Sequence, residues 1–445
     1  GGLVRIMADG TIGKGVATDW NISDDGLTYT FKLRNNSHWA MFSGHKAVLG
    51  ENYEDTFDIT VKAEDFKFGI ERTLSEQTGS ADAPLFSAVK SISTPDDFTI
   101  VFNLSYADDN FLYALTNPGA MSCDEEFFNL TNGKYGLDAK YLLCNGPFHV
   151  SKWTEKTSVK LVKNNEYNGE SSVSPSSVTF YINNNDSEVA DKMNSVTYDV
   201  AFLSSSQFSS IENKKDLNSV AVQNVTYSFI FNQNDNNYRN KNMRLAFCRS
   251  CDTSSLFDSQ SDISKADGIV PPSCKIGGED YRNGNAAELL SYDETLAKKN
   301  FNDALLELGS SSVETTILCT EQYESFVKQM VQKLQKTLGV KFVSTVKVVS
   351  ESDLEAAVND GNYSVAFYPF KAKSSFAGEI IEGFDQNNIF GYESDVLSQK
   401  IRNIKNNSGS LEGERSAVAD AENYLVSEAG IKDAVFEKNS FVTSQ

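Results

Sequence analysis

The sequence contains no uninterrupted run of 18 apolar residues, so no part of it reads as a membrane-spanning helix. It also lacks positive balance: 40 Lys and Arg face 61 Asp and Glu, for a net charge of −21. A nucleic-acid-binding surface needs the opposite sign, which argues strongly against that class of partner. The acidity fits a chain kept apart from its neighbours by repulsion. Histidine is scarce, with only His38, His45 and His149. A metal centre would need these converged with carboxylates, and neither metal nor cofactor is expected. A second CxxC is missing as well. Cys248-Arg-Ser-Cys251 stands alone, and Cys123, Cys144, Cys274 and Cys319 do not supply the other half of a zinc ribbon. The stretch from Met243 reads as one helix carrying both thiols a turn apart, unlike the strand-to-helix junction of a redox site. These cysteines are expected to be inert or structurally paired. No nucleophile elbow, phosphate loop, HExxH or catalytic triad occurs. Carboxylates are too plentiful for one pair to stand out as a glycosidase couple. The chain is therefore not expected to be an enzyme. No signal peptide or lipid-attachment cysteine is present in the sequence, which starts abruptly at Gly1-Gly2-Leu3. That abrupt start is expected to belong to a mature or trimmed chain, and it does not argue against export.

What is present is globular material. Hydrophobic residues make up 40% and aromatics 11% of 445 residues, too long a chain for one simple core, so two or three lobes are expected. Trp20 and Ile22 alternate on one short strand, Asp24-Asp25-Gly26 turns, and Tyr29, Phe31 and Leu33 alternate on a second. Phe66, Ile70 and Leu74 share one face of a helix, with Glu64 and Asp65 in its first turn. Asp96-Asp97 turns between two further strands. Later, Tyr323, Phe326, Val327, Met330, Leu334 and Leu338 keep helical spacing, and Gly339 ends the helix. A strand over 340–349, a helix through Leu354, Ala357 and Val358, and a strand over 364–370 follow. This order implies parallel neighbours and right-handed crossovers. A long helix over 410–428 and a last strand over 435–443 complete the pattern. Asn pairs at 183–185 and 406–407 read as surface turns.

These phrases carry a resemblance. Ala17–Arg34 resembles the "A-x-x-W-x-x-x-x-D-G-x-x-Y-T-F-x-L-R" passage of the solute-binding proteins of peptide-type ABC importers. In order along the chain follow a helix like the family's "T-A-x-D" segment with Lys62 at the usual Thr, the phrase Asn145-Gly-Pro-Phe148, the strand end Asn164-Asn-Glu-Tyr167, and Tyr227-Ser-Phe-Ile-Phe-Asn232. Asn242-Met-Arg244-Leu-Ala-Phe and Gly268-Ile-Val-Pro-Pro complete the series. The resemblance implies an α/β fold of the periplasmic-binding-protein-like type II, with two α/β lobes joined by a hinge and an extra subdomain in the first lobe. It divides the chain into a first-lobe segment 1–18, whose opening strand is absent, an accessory subdomain 19–142, first lobe 143–232, second lobe 233–434 and a return to the first lobe 435–445. The hinge segments would lie near 231–234 and 435–442. It implies a peptide or similar small solute as ligand, a membrane permease of an ABC transporter as partner, a monomeric state, and an extracytoplasmic place, either periplasmic or as a cell-surface lipoprotein. Competing readings are a hydrolase acting on peptides or glycans, and a sensor or adhesion protein that keeps the fold.

The same resemblance supplies candidate ligand-binding residues. Peptide-binding relatives carry "G-W-x-A-D-Y", whose Asp pairs with the peptide amino terminus. Here Pro369-Phe370-Lys371-Ala-Lys373-Ser374 occupies that stretch, with Phe370 at the Trp and Lys373 at the Asp. A buried amine facing Lys373 would be repelled. Either the ligand is not anchored by a free amine, or another acid takes over, or the loop is displaced by a residue or two. Lys371 and Lys373 would instead attract a carboxylate. Phe229, Phe231 and Asn232 on the strand leaving the first lobe, and Tyr368, Phe376 and Tyr392 in the second, are further candidates. Alternation puts Phe229 and Phe231 on one face and Ile230 and Asn232 on the other. Against each aromatic stands the plainer reading of core packing, and against the lysines simple solvation.

Overall fold

A computed structural model describes the chain except for residues 8–10, 109, 170–172, 183–185, 213, 254–255, 258–261, 286, 288, 373–375, 386–387, 389, 408–409, 429 and 445. It divides into two compact units, Gly1–Asn184 and Asn185–Gln445.

The first unit is built on a four-stranded antiparallel sheet in the order Ala17–Ile22, Thr28–Leu33, Thr99–Leu104, Val89–Asp96. The first hairpin pairs Trp20 with Phe31 and Ile22 with Tyr29. Tyr29, Phe31 and Leu33 are buried, while Ile22 stays exposed. In its turn, Asp25 Oδ1 accepts from Leu27 N at 3.0 Å and Ser23 Oγ at 2.5 Å. These bonds hold the Asp25 carboxyl below the usual carboxylate range. Gly26 takes φ +68°, a left-handed value that a side chain would resist. Helix Ala63–Leu74 buries Phe66 and Ile70 completely. Its first turn closes when Lys62 N donates to Asp65 Oδ2 at 2.7 Å. A second, three-stranded antiparallel sheet comprises Phe148–Thr154, Ser158–Lys163 and Ser177–Tyr181. The phrases around Gly146-Pro147 and Asn164 prove to be one device: Asn164 Nδ2 donates to Gly146 O and Asn164 N to Pro147 O, both at 2.9 Å. His45 and His149 both pack on Phe42, with ring centroids 4.3 and 5.7 Å away.

The second unit centres on a six-stranded mixed sheet in the order Ile263–Lys265, Ile431–Glu437, Val225–Phe231, Val365–Lys371, Val313–Cys319, Phe342–Val348. The 313–319 strand runs parallel to both 342–348 and 365–371, as strand–helix–strand order requires. One face packs against helices Lys241–Arg249, Glu294–Leu308 and Glu324–Leu338. The other packs against Glu351–Asn359, Gly378–Glu382, Asp395–Asn406 and Leu411–Ser427. All six residues of the helical stripe from Tyr323 to Leu338 are buried, and Gly339 ends the helix at φ +79°.

The pairing of two strands differs from expectation. The strand 225–231, read as leaving the first lobe, lies inside the second unit's sheet, antiparallel to 365–371 on one side and 431–437 on the other. All seven of its residues are buried. Residues 231–234 and 435–442 both belong to the second compact unit. The final strand is also two strands. Ile431–Glu437 joins the six-stranded sheet, and Asn439–Ser444 pairs with Val200–Ser204 and Leu217–Val222 over a small core. The helix from Lys241 stops at Arg249, so Cys251 lies just beyond it. None of the six cysteines forms a disulfide among the described residues, and five are buried.

The loop with Pro271-Pro272 is pinned by one buried carboxylate. Glu422 accepts from Ile269 N at 2.8 Å, Val270 N at 3.0 Å, Tyr281 OH at 3.1 Å and Arg282 Nη1 at 2.9 Å. The Glu422 and Arg282 side chains are only 1% and 8% exposed. Gly268, at φ +154°, lets the loop approach, because a Cβ there would strike both charged groups.

Two measurements follow. Glu422→Ala removes the buried partner of Arg282 and leaves it only the half-exposed Asp267, 3.6 Å away, and chemical denaturation should show a loss of about 3–5 kcal/mol. In the first unit, burial raises the Asp65 carboxyl from its ordinary 3.8 to about 7. The folded state then holds a proton that the unfolded chain releases, so this stabilisation is complete below about pH 4 and lost as pH rises through 7. The stability of Asp65→Asn relative to wild type should climb across that window; a pH-independent difference would contradict the assignment.

Candidate functional site

In open α/β sheets, ligands bind outside the carboxyl ends of the strands. Here strands 313–319, 342–348 and 365–371 end at one edge. Strand 431–437 ends there too, because it and 365–371 are both antiparallel to 225–231. Tyr323, in the turn leading from the 313–319 strand into the next helix, packs its ring 4.1 Å from that of Tyr227. Its hydroxyl donates to Glu437 Oε1 at 2.9 Å. Gln322 Nε2 donates to the same oxygen at 3.3 Å, and Asn439 Nδ2 to Oε2 at 2.9 Å. Burial is the main force that pushes the Tyr227 and Tyr323 hydroxyls up. Glu437 adds to it at both, and Glu351 at Tyr227. Glu437 itself is half-buried and makes no ion pair among the described residues.

Lys371 ends its strand at this edge. It is exposed and likewise makes no ion pair among the described residues. The adjoining backbone is held by Ala372 N donating to Asn224 O at 3.1 Å. Lys373 and Ser374 lie outside the described residues.

The remaining candidates separate by face. Phe229 and Phe231 are 0% and 1% exposed and lie in the core under the first helical layer. Their rings meet Phe247 at 5.4 and 5.1 Å, and Phe229 meets Phe367 at 4.8 Å. Tyr368, Phe370, Phe376 and Tyr392 gather on the opposite face with Phe384 and Phe390. Tyr368 is 5.8 Å from Phe370 and 6.0 Å from Phe390. Asn232 is buried, and its Nδ2 donates to Gly361 O at 2.9 Å and Tyr363 O at 2.8 Å. In this arrangement it ties the end of one strand to the start of its neighbour. Tyr323, Gln322 and Glu437 were not singled out from sequence. In the sequence, Tyr323 reads as the first position of a helical stripe. The one available signal was an acid closing the apolar run Val435-Phe436-Glu437.

The second unit is a three-layered α/β/α arrangement whose strand ends meet at a polar rim, the edge at which such sheets receive ligands. The chain belongs to the bacterial extracellular solute-binding proteins, family 5, whose middle-region profile matches residues 11–390. It is similar to the dipeptide-binding protein DppE of Bacillus subtilis, with 22% identity over 98% of this chain and 80% of that protein. It is also similar to the oligopeptide-binding protein OppA of the same organism, with 26% identity over 76% of this chain and 64% of that one. The peptide-bound OppA of Listeria monocytogenes superposes with a TM-score of 0.80 at 22% identity, over 100% of this chain and 88% of that one. The dipeptide-binding protein of Pseudoalteromonas in complex with Met-Leu gives 0.79 at 17%, over 100% and 89%. This confirms the fold expected from the sequence.

Replacing Asn232 by Leu removes both amide donors from two carbonyls and should cost about 1–3 kcal/mol in urea unfolding. A neutral effect would show that the amide is not holding the strand ends.

Proposed function

We propose that this protein is the extracytoplasmic solute-capturing component of an ABC importer, binding a peptide or similar small solute and handing it to a membrane permease. It acts as a monomer and performs no chemistry on its cargo. Family membership across most of the chain carries this reading, and the polar carboxyl edge of the second unit supports it. No helix among the described residues is long and apolar enough to cross a membrane, which suits a captor that depends on a separate permease. The acidic surface suits a protein that works dispersed in an extracytoplasmic space or tethered through a lipid.

Native mass spectrometry of gently purified protein should reveal a co-purifying small solute, released on denaturation. Calorimetry with the identified compound should give one site per chain. Peptide, ester and glycoside substrates should be returned unchanged. Reproducible turnover that disappears on mutating a single acid would overturn the captor reading in favour of a hydrolase.

A further inference from the structure

The carboxyl edge of the six-stranded sheet bears two opposite charges that do not satisfy each other. The register pairs Val225 with Lys371 on one side and Thr226 with Phe436 on the other. Continued by one residue, it sets Glu437 opposite Val225. Directly opposed residues share a face, so Glu437, Val225 and Lys371 form one row. That face carries Tyr227 and Phe367. Two strand spacings place the outer Cα atoms about 10 Å apart. No ion pair joins the two side chains.

Glu437 is held in place rather than loosely solvated. Its carboxylate accepts three hydrogen bonds, all from uncharged donors. Those bonds orient it without cancelling its charge. Glu351 adds a second negative charge near Tyr227. A half-buried carboxylate with neutral partners is incompletely compensated, and a cation brought to it would gain more than it would in water. Lys371 has the complementary need at the other end of the row.

We propose that this row is a ligand subsite for a zwitterion, with the ligand's ammonium at Glu437 and its carboxylate at Lys371. The proposal rests on the solute-capture reading and deepens it. Glu437 then does the amine-anchoring work for which the 369–374 stretch offers no acid.

The test is calorimetry with an oligoalanine series, each member free, N-acetylated or C-amidated, alongside arginine, lysine and glycine betaine as non-peptide solutes. The proteins are wild type, Glu437→Gln and Lys371→Gln. Glu437→Gln keeps an acceptor for Tyr323 and removes the charge, with Asn439 free to turn its amide over. Lys371→Gln alters only an exposed side chain. Thermal unfolding of each variant within a few degrees of wild type establishes that the fold is retained. Wild type should lose roughly tenfold or more in affinity on N-acetylation. Glu437→Gln should bind free and acetylated peptides alike, and Lys371→Gln should become indifferent to C-amidation. If wild type ignores acetylation, or Glu437→Gln still distinguishes the two forms, the subsite is wrong while the captor reading stands. If wild type binds no peptide but takes up a non-peptide solute that Glu437→Gln rejects, the subsite stands and the peptide ligand falls. Binding of nothing in the series overturns both.

Discussion

Everything placed at the candidate site depends on one strand being buried on both faces. Val225–Phe231 has helices above and below it and a strand on either side. Because it runs against both neighbours, those neighbours run parallel to each other, and strands separated by some 60 residues finish at the same edge. Without that inversion, Glu437 and Lys371 would end on opposite sides of the sheet. Seven buried residues in a row leave no amphipathic signature, and the strand's stability comes from packing Phe229 and Phe231 against Phe247, Phe367 and Tyr238.

This explains what could be read in the sequence and what could not. Strands with one wet face announced themselves. The 17–33 hairpin, with Asp25-Gly26 in its turn, and the Tyr323–Leu338 stripe appear where alternation and helical spacing put them. The affiliation of strand 225–231 could not be read, because a residue covered on both sides does not reveal which partner covers it. The same ambiguity governed the site. Tyr227, Phe229 and Phe231 are equally aromatic and equally buried. What sets Tyr227 apart is its place at the carboxyl edge beside Tyr323, a contact between residues about a hundred positions apart. Glu437 was hidden by the splitting of the last strand at Lys438, which moves one half into the large sheet and the other into the small one.

Away from the rim the unit is held by polar groups whose own needs are met internally. Asn232 uses its two amide hydrogens on Gly361 and Tyr363, and Asp235 accepts from Ser364 Oγ at 2.8 Å. These contacts secure the opposite edge of the same strands. Glu422 takes up the backbone N–H groups of the loop carrying Pro271-Pro272 and balances Arg282. A buried acid that is fully matched in this way is structural. It has three uncharged hydrogen-bonding partners and a cation, and nothing further to attract.

Glu437 differs from Glu422 in just that respect. Both carboxylates are oriented by several donors, and both lie in the same unit. Glu422 has its arginine, sits almost completely buried, and closes a loop. Glu437 has donors but no ion pair among the described residues, sits half-buried at the edge where α/β sheets receive ligands, and shares its row with a lysine that likewise makes none among them. In a chain carrying −21 overall, a negative side chain alone would be unremarkable against so acidic a background. An acid and a base held about 10 Å apart without pairing are a different matter: each keeps an electrostatic demand that the folded unit leaves open. A small molecule with charges of both signs is the simplest thing that meets both demands at once.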